Sequence, residues 1–333
     1  MNKRKIYRVG VIGLGVFGSR HAAVSSKLPF YELVGVSDIK QEAVDRVSAQ
    51  LGVQGYTRYQ QMIDESKLDV VIVAVSDQFH QEPVEYAAER GVSIFLEKPI
   101  ANTLGNAKLI LEAVHKNNVK LMVGHTLRYD PRYLAVQAAV KEGKLGDLIH
   151  VYARRNATTV SGRRLDGRVE AVIFQGVHDI DFLRWITGSR ITKVYAESTS
   201  RVLTDMNVSD TVMATMRFEN GTIGLLEQSW GLPAGMPSPL DAALEVVGTQ
   251  GAAYLDLRAQ SISMFINGKY SQPDIIYGLP DMHFLYDEHD WFISYLNDEV
   301  EPKVSGEEAY ETLRVADAIV RSSKTGEIVF IAP

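Results

Sequence analysis

The stretch Val9-Gly10-Val11-Ile12-Gly13-Leu14-Gly15-Val16-Phe17-Gly18 decides the fold of the N-terminal half. Val9 to Ile12 is a short apolar run that reads as a buried parallel strand, and Ser19 to Lys27 reads as the helix after it. The glycines between them have separate tasks. Gly13 permits a tight turn, Gly15 has no Cβ to block a pyrophosphate, and Gly18 lets the helix pack on the strand. Free N–H groups and the dipole at the helix start favour the phosphates. Val16 and Phe17 lie in the same turn and are expected against the cofactor.

A second strand, Glu32 to Ser37, ends at Asp38. In a dinucleotide fold an acid about 20 residues past the turn accepts hydrogen bonds from the adenosine ribose. The other role open to Asp38 is to cap a helix over Gln41 to Leu51. A carboxylate repels a 2′-phosphate, so Asp38 points to NAD, while the nearby cation Lys40 keeps NADP as the alternative.

Strand and helix signals alternate from here to about residue 125, the pattern of a doubly wound parallel sheet. Asp69 to Val75 is the clearest buried strand, Pro83 to Arg90 a helix, Ser93 to Leu96 a strand leading into Glu97-Lys98-Pro99, and Lys120 to Val123 a sixth strand. After Gly146 strand signals dominate, from Leu148 to Arg154 and then from Ile191 to Phe265, with a hairpin turn at Glu219-Asn220-Gly221-Thr222. The fold class is therefore α/β, a Rossmann sheet followed by an α/β domain with an open, mostly antiparallel sheet. Residues 1–126 form the dinucleotide domain and 127–333 the substrate and oligomerisation domain, with the last helix packing back on the first.

The composition excludes several classes. With 333 residues, two domains are the prior. A net charge of −6, without a basic stripe, argues against a nucleic-acid binder. The absence of cysteine removes disulfides and thiolate metal sites and fits a cytoplasmic protein. The basic start Met1-Asn2-Lys3-Arg4-Lys5 leads into the glycine turn and not into a cleavable leader, and no apolar run is long enough to span a membrane. His21, His115, His150, His283 and His289 show no metal-ligand spacing, so no metal is expected.

The glycine turn, Glu97-Lys98-Pro99, Gly124-His125-Thr126-Leu127-Arg128-Tyr129-Asp130-Pro131 and Val177-His178-Asp179-Ile180-Asp181 together resemble the Gfo/Idh/MocA family of dinucleotide-dependent oxidoreductases along essentially the whole chain. The resemblance implies action on cyclic polyols, sugars or nucleotide sugars, and a dimer or tetramer formed through the open sheet. It implies that Lys98 is catalytic, with a cis bond to Pro99, and that His178 transfers the proton. Both roles suit their chemistry. An ammonium stabilises an alkoxide, and an imidazole titrates near neutrality. Ser76 and Glu97 are expected at the cofactor, His80 is expected to be structural or cofactor-adjacent, and Arg128 and Asn156 are expected at the substrate. The alternatives are an ion pair for Arg128, with Asp130 or a neighbouring acid, and a turn-forming role for Asn156.

Two features depart from the family pattern or stand outside it. Many relatives carry an aspartate four residues before the histidine, where this chain has Phe174. Asp179 or Glu170 then supplies the missing carboxylate, or Lys98 and His178 suffice, or the chemistry differs. Arg154, Arg155, Arg163, Arg164 and Arg168 also cluster ahead of His178. Guanidinium forks suit anions, so Arg163 and Arg164 are candidates to bind an anionic substrate, the alternative being a solvated loop. The resulting expectation is an NAD(P)-dependent dehydrogenase. Its rivals are a glycoside-cleaving enzyme that retains NAD and a non-catalytic dinucleotide-binding regulator.

Overall fold

The computed structural model describes residues 5–236, 238–258, 261–272 and 283–333. Of the basic start, Met1 to Arg4 lie outside the described residues.

The first sheet is built from β1 (Tyr7–Ile12), β2 (Tyr31–Ser37), β3 (Gln54–Tyr56), β4 (Val70–Val73), β5 (Ser93–Glu97) and β6 (Leu121–Gly124). Helices α1 (Val16–Ser25), α2 (Gln41–Leu51), α3 (Tyr59–Ser66), α4 (Gln81–Ala88) and α5 (Leu104–Asn117) connect them. The order is β3-β2-β1-β4-β5-β6 and every pair is parallel. Strands covered on both faces must be apolar throughout, and β4 and β6 are buried at every residue. Connectivity reverses between β1 and β4, so ligands are expected outside the carboxyl ends of these strands.

The second sheet follows α6 (Pro131–Lys141). It contains β7 (Leu148–Thr158), then α7 (Thr159–Arg163) and α8 (Val177–Thr187) intervene, and β8 (Ile191–Thr199), β9 (Thr211–Phe218), β10 (Ile223–Leu232), β11 (Leu240–Gly248), β12 (Gly251–Asp256), β13 (Ser261–Ile266) and β14 (Lys269–Ser271) complete the run. Next come α9 (His283–Leu296), α10 (Gly306–Thr325) and β15 (Val329–Phe330). The nine strands are ordered β14-β13-β12-β11-β7-β10-β9-β8-β15. The β7–β10 pair is parallel and the other described pairs are antiparallel, as an open mixed sheet requires. The Asn220-Gly221 hairpin forms between β9 and β10, with Gly221 at φ +92° and Phe218 N–H donating to the Thr222 carbonyl at 3.0 Å.

Alternation along the strands sorts this sheet into two faces. Val151 and Ala153 of β7 and Leu226 of β10 enter a core with Ile180 and Leu183 of α8. The other face leaves Met213, Ile223, Leu225, Tyr254 and Phe265 exposed.

The chain divides into two compact units, Met1–Thr126 with Leu279–Tyr310, and Leu127–Gly278 with Glu311–Pro333. The segment that returns to the first unit contains α9, whose Leu285, Phe292 and Ile293 join Val11, Phe95 and Met122 in its core. The last helix, α10, instead sends Ala316 and Ile319 into the core of the second unit. The expected return to the first unit is thus made by α9 and the first turn of α10, while the rest of α10 belongs to the second unit. An amphipathic helix shows that it has an apolar face but not which sheet covers that face.

Candidate active site

The dinucleotide turn lies at the carboxyl ends of β1, β2 and β4. Gly13 N–H donates to the Ser37 carbonyl at 2.8 Å and Ala74 N–H to the Ile12 carbonyl at 2.8 Å, which locks the three ends together. Gly13 sits at φ +89°, and a Cβ there would meet the Ala74 backbone at 2.7 Å. A Cβ on Gly18 would lie 1.7 Å from the Gly13 carbonyl oxygen. Gly15 has open space around its Cβ position instead. Two glycines are thus needed for packing and the third leaves room, which fits a pyrophosphate resting on α1. Val16 and Phe17 project from the first turn of α1 and are exposed. Asp38 is half-buried, and its carboxylate accepts from Leu14 N–H at 2.7 Å and from Lys40 N–H at 2.9 Å. These bonds aim the carboxylate, and each oxygen keeps a further lone pair for a ribose hydroxyl. Ser76 is exposed just beyond β4.

Lys98 follows the last residue of β5, is half-buried, and has a cis bond to Pro99. Two neighbouring side chains among the expected cofactor-side residues make protein contacts, and His80 takes the structural role. His80 is buried, and its ring nitrogens lie 3.1 Å from the Val75 carbonyl and 3.3 Å from the Ile100 carbonyl. Burial lowers its pKa, and the ring braces the end of β4 against the Lys-Pro turn. Glu97 is also buried. One oxygen lies 2.9 Å from His21 Nε2 and the other accepts from Lys98 N–H at 3.1 Å. Burial works against its charge, but the His21 hydrogen bond and the Lys98 ammonium outweigh that and hold its pKa below the usual carboxylate range.

In the second unit, His178 is the second residue of α8 and is half-buried. A π-helical turn, Val172–Gly176, leads into it. The two acids after the histidine fix this helix. Asp179 receives Arg155 Nε and Nη2 at 2.9 Å each and Gln228 Nε2 at 2.8 Å. Asp181 receives Arg128 Nε and Nη2 at 2.8 Å each. All four side chains of these two pairs are buried. Burial opposes the Arg155 charge, yet Asp179 outweighs it and raises the pKa of the guanidinium. Burial also pushes the Tyr133 hydroxyl beside Arg155 up to about 12.

These contacts correct several expectations. Arg128 takes the alternative of an ion pair, with Asp181 rather than Asp130, which pairs with Arg132 at 2.6 Å. Asn156 donates to Glu227 at 2.6 Å, and Tyr152 donates to the other oxygen of Glu227 at 2.6 Å. Strand alternation puts Asn156 on the Tyr152 face of β7, opposite the Arg155 face that meets α8. Neither acid nominated to replace the family aspartate is available. Asp179 is held as above, and Glu170 accepts from Ser209 N–H at 3.0 Å and pairs with Lys324 at 3.2 Å. Phe174 packs against the Leu165 and Trp230 cluster, with the Arg168 guanidinium 6.0 Å from its ring centroid. The arginine cluster is largely neutralised. Arg154 pairs with Asp241, Arg155 with Asp179 and Arg163 with Asp205, and Arg164 is exposed.

Sequence reasoning missed Arg155, Asp181 and Gln228 as supports of α8, and His21, His289 and Glu288 around Glu97. His21 carries a signal in retrospect, since it lies one helical turn past Gly18 and so on the face that Gly18 packs down. Among the described residues, no three histidine, cysteine or acidic side chains gather to hold a metal ion, and no helix is long and apolar enough to cross a membrane.

Residues 7–125 match an oxidoreductase family described as having an NAD-binding Rossmann fold, and residues 133–254 match the GFO/IDH/MocA C-terminal domain. The chain is 29% identical over 260 residues to the myo-inositol 2-dehydrogenase of Thermotoga maritima, covering 75% of each protein. It is 28% identical over 290 residues to the scyllo-inositol 2-dehydrogenase (NAD(+)) of Bacillus subtilis, covering 84% of this chain and 82% of that one. Among solved structures, an oxidoreductase domain protein from Kribbella flavida shares the fold at a TM-score of 0.89 and 20% identity, over 99% of this chain and 100% of the other. The myo-inositol 2-dehydrogenase of Lactobacillus plantarum does so at 0.86 and 23% identity, over 98% and 100%.

Proposed function

This chain belongs to the Gfo/Idh/MocA family of NAD-binding oxidoreductases, and we propose that it moves hydride between NAD and a secondary alcohol, or the matching ketone, of a cyclitol or sugar. The observation that carries this reading is Lys98 at the carboxyl end of β5, in the sheet whose β1 turn fits a pyrophosphate. The names of the inositol dehydrogenases among the relatives support the substrate class.

The turn of Gly13, Gly15 and Gly18 seats the phosphates, and Asp38 binds the ribose. When bound, NAD supplies the hydride acceptor. The Lys98 ammonium hydrogen-bonds the substrate oxygen and stabilises the negative charge that develops there. His178 takes the hydroxyl proton, a contribution of ~10²–10⁴-fold for a well-placed base. We also assign the exposed apolar row on the second sheet, Met213, Ile223, Leu225, Tyr254 and Phe265, to contact with a second copy of the chain. Light scattering that finds only monomers would remove that assignment.

The test is a screen of inositols, aldoses, uronates and nucleotide sugars with NAD, followed by nicotinamide absorbance. Stoichiometric NADH formation on a cyclitol or sugar is expected, with a loss of about 10² or more in kcat for Lys98→Ala. Product without net NADH would move the reading to glycoside cleavage with retained NAD. Full activity of Lys98→Ala would remove Lys98 from the chemistry.

A further inference from the structure

We propose that His21 and His289 are positioning residues for Lys98, forming a buried hydrogen-bond chain that ends on Glu97 and through it fixes the Lys98 main chain. The inference rests on the reading of Lys98 as the reactive ammonium. His21 Nε2 lies 2.9 Å from Glu97 Oε1, and His21 Nδ1 lies 2.9 Å from His289 Nε2. His289 Nδ1 faces the Tyr31 hydroxyl at 3.4 Å. The second oxygen of Glu97 holds Lys98 N–H at 3.1 Å. The chain thus joins α1, α9 and the end of β5, segments nearly 270 positions apart.

With both rings neutral, the proton count admits one arrangement. Glu97 is an anion and only accepts, so His21 must donate from Nε2. His21 Nδ1 is then bare and takes the proton of His289 Nε2. His289 Nδ1 is bare in turn and faces the Tyr31 hydroxyl. Every donor points toward Glu97.

A core built only for packing would not contain these groups. His21 and His289 are both 0% exposed and lie among Phe95 and Phe292, where another aromatic ring would avoid the desolvation of two imidazoles. Glu288, also 0% exposed, lies next to His289 in sequence, and neither of its oxygens has a hydrogen-bond partner. Burial first, and then Glu97 and Asp287, raise its pKa well above the usual value, so it stays protonated. Burial holds the pKa of His289 well below the usual histidine value, which favours its neutral form. The negative charge of the pocket therefore sits on Glu97, the residue that touches Lys98.

The test compares His21→Leu, His21→Gln, His289→Phe, Lys98→Ala and the double variant His21→Leu/Lys98→Ala with NAD and the best substrate from the screen. His21→Leu is expected to lower kcat at least about tenfold with KM for NAD within twofold, since a small displacement of a reactive group costs rate and not binding. His21→Gln, which keeps a donor toward Glu97, should recover most of that loss. The double variant should be no slower than Lys98→Ala alone, because the histidine acts through the lysine. An equal factor lost in both backgrounds, or wild-type kcat in His21→Leu beside an impaired Lys98→Ala, would overturn the positioning role. A fully active Lys98→Ala would instead overturn the reading of Lys98. Should His21→Leu fail to fold, ¹⁵N spectra of the wild-type histidines decide. Both rings are expected to carry a proton on Nε2, and a His21 ring whose Nε2 is bare overturns the chain.

Discussion

Beside β5, the first unit buries His21, His289, Glu97 and Glu288, side chains whose charge depends on pH. The second unit fixes α8 with Arg155–Asp179 and Arg128–Asp181, pairs in which the guanidinium keeps its charge at any ordinary pH. Each network supports one proposed catalytic side chain, Lys98 in the first case and His178 in the second. The difference follows from what is supported. On the proposed reading, Lys98 needs an anion behind its main chain, and buried imidazole N–H groups hold it there. On the same reading, His178 must itself change charge, and the acids beside it on its helix are each paired with an arginine.

The largest effect expected from breaking this contrast is in the second unit. Asp179→Ala leaves the buried Arg155 guanidinium without its carboxylate, and removing one partner of a buried pair costs about 3–5 kcal/mol. Calorimetry should show the transition of that unit falling steeply, and kcat falling with it because α8 carries His178. The double variant Arg155→Met/Asp179→Leu should recover most of the stability, since apolar replacement of a whole buried pair is often near neutral. A small loss in Asp179→Ala would show that the pair is not what fixes the helix.

The acid limb of stability separates the units next. Burial lowers the pKa values of His289 and His80, so the folded protein keeps both rings neutral where the unfolded chain protonates near ~6.5. Their contribution is complete above that value and is lost as pH falls below it through the lowered folded values, at up to about 1.4 kcal/mol per pH unit for each ring. Hydrogen exchange followed by mass spectrometry should show the first unit opening between about pH 6.5 and 5 while β7, α8 and β10 stay protected. Equal loss of protection in both units would erase the distinction.

Glu288 sharpens the same point with the opposite sign. Its folded pKa is raised, so its proton is retained at a cost that starts above the unfolded carboxyl value near ~4.3 and grows as pH rises toward the folded value. Glu288→Gln removes the titration and keeps the shape. The variant should match wild type near pH 4 and exceed it increasingly toward neutrality, by up to about 1.4 kcal/mol per pH unit above ~4.3. A gain that does not vary with pH would mean that Glu288 is not held protonated.

What the sequence could reveal of these networks depended on whether the signal was local. The glycine turn was legible because Gly13 and Gly18 meet backbone within a few residues or one strand away, and such steric demands restrict the residue type directly. The alternation of the second sheet was legible for the same reason. The Val177-His178-Asp179-Ile180-Asp181 motif was visible, but Asp179 was weighed as a missing carboxylate when it is held by Arg155, and the partner of Asp181 was not legible, because Arg155 and Arg128 lie 24 and 53 positions away. The His21–His289 contact spans 268 positions and depends on α9 returning to the first unit. Periodicity marks α9 as amphipathic but does not say which core it enters, so nothing short of the fold could connect those two rings.

The smallest expected effect concerns the arginine cluster, which stands outside both networks. As a linear pattern it suggested an anion site, but Arg163 pairs with Asp205 on the surface, with the two side chains 49% and 60% exposed. Such pairs trade Coulomb energy against side-chain entropy and are screened by salt. Arg163→Ala and Arg164→Ala, alone and together, should leave the thermal midpoint and the KM for the substrate unchanged within error. A several-fold rise in KM for uronates or nucleotide sugars, with inositols unaffected, would restore the anionic substrate class and move these arginines from the solvated surface to the site.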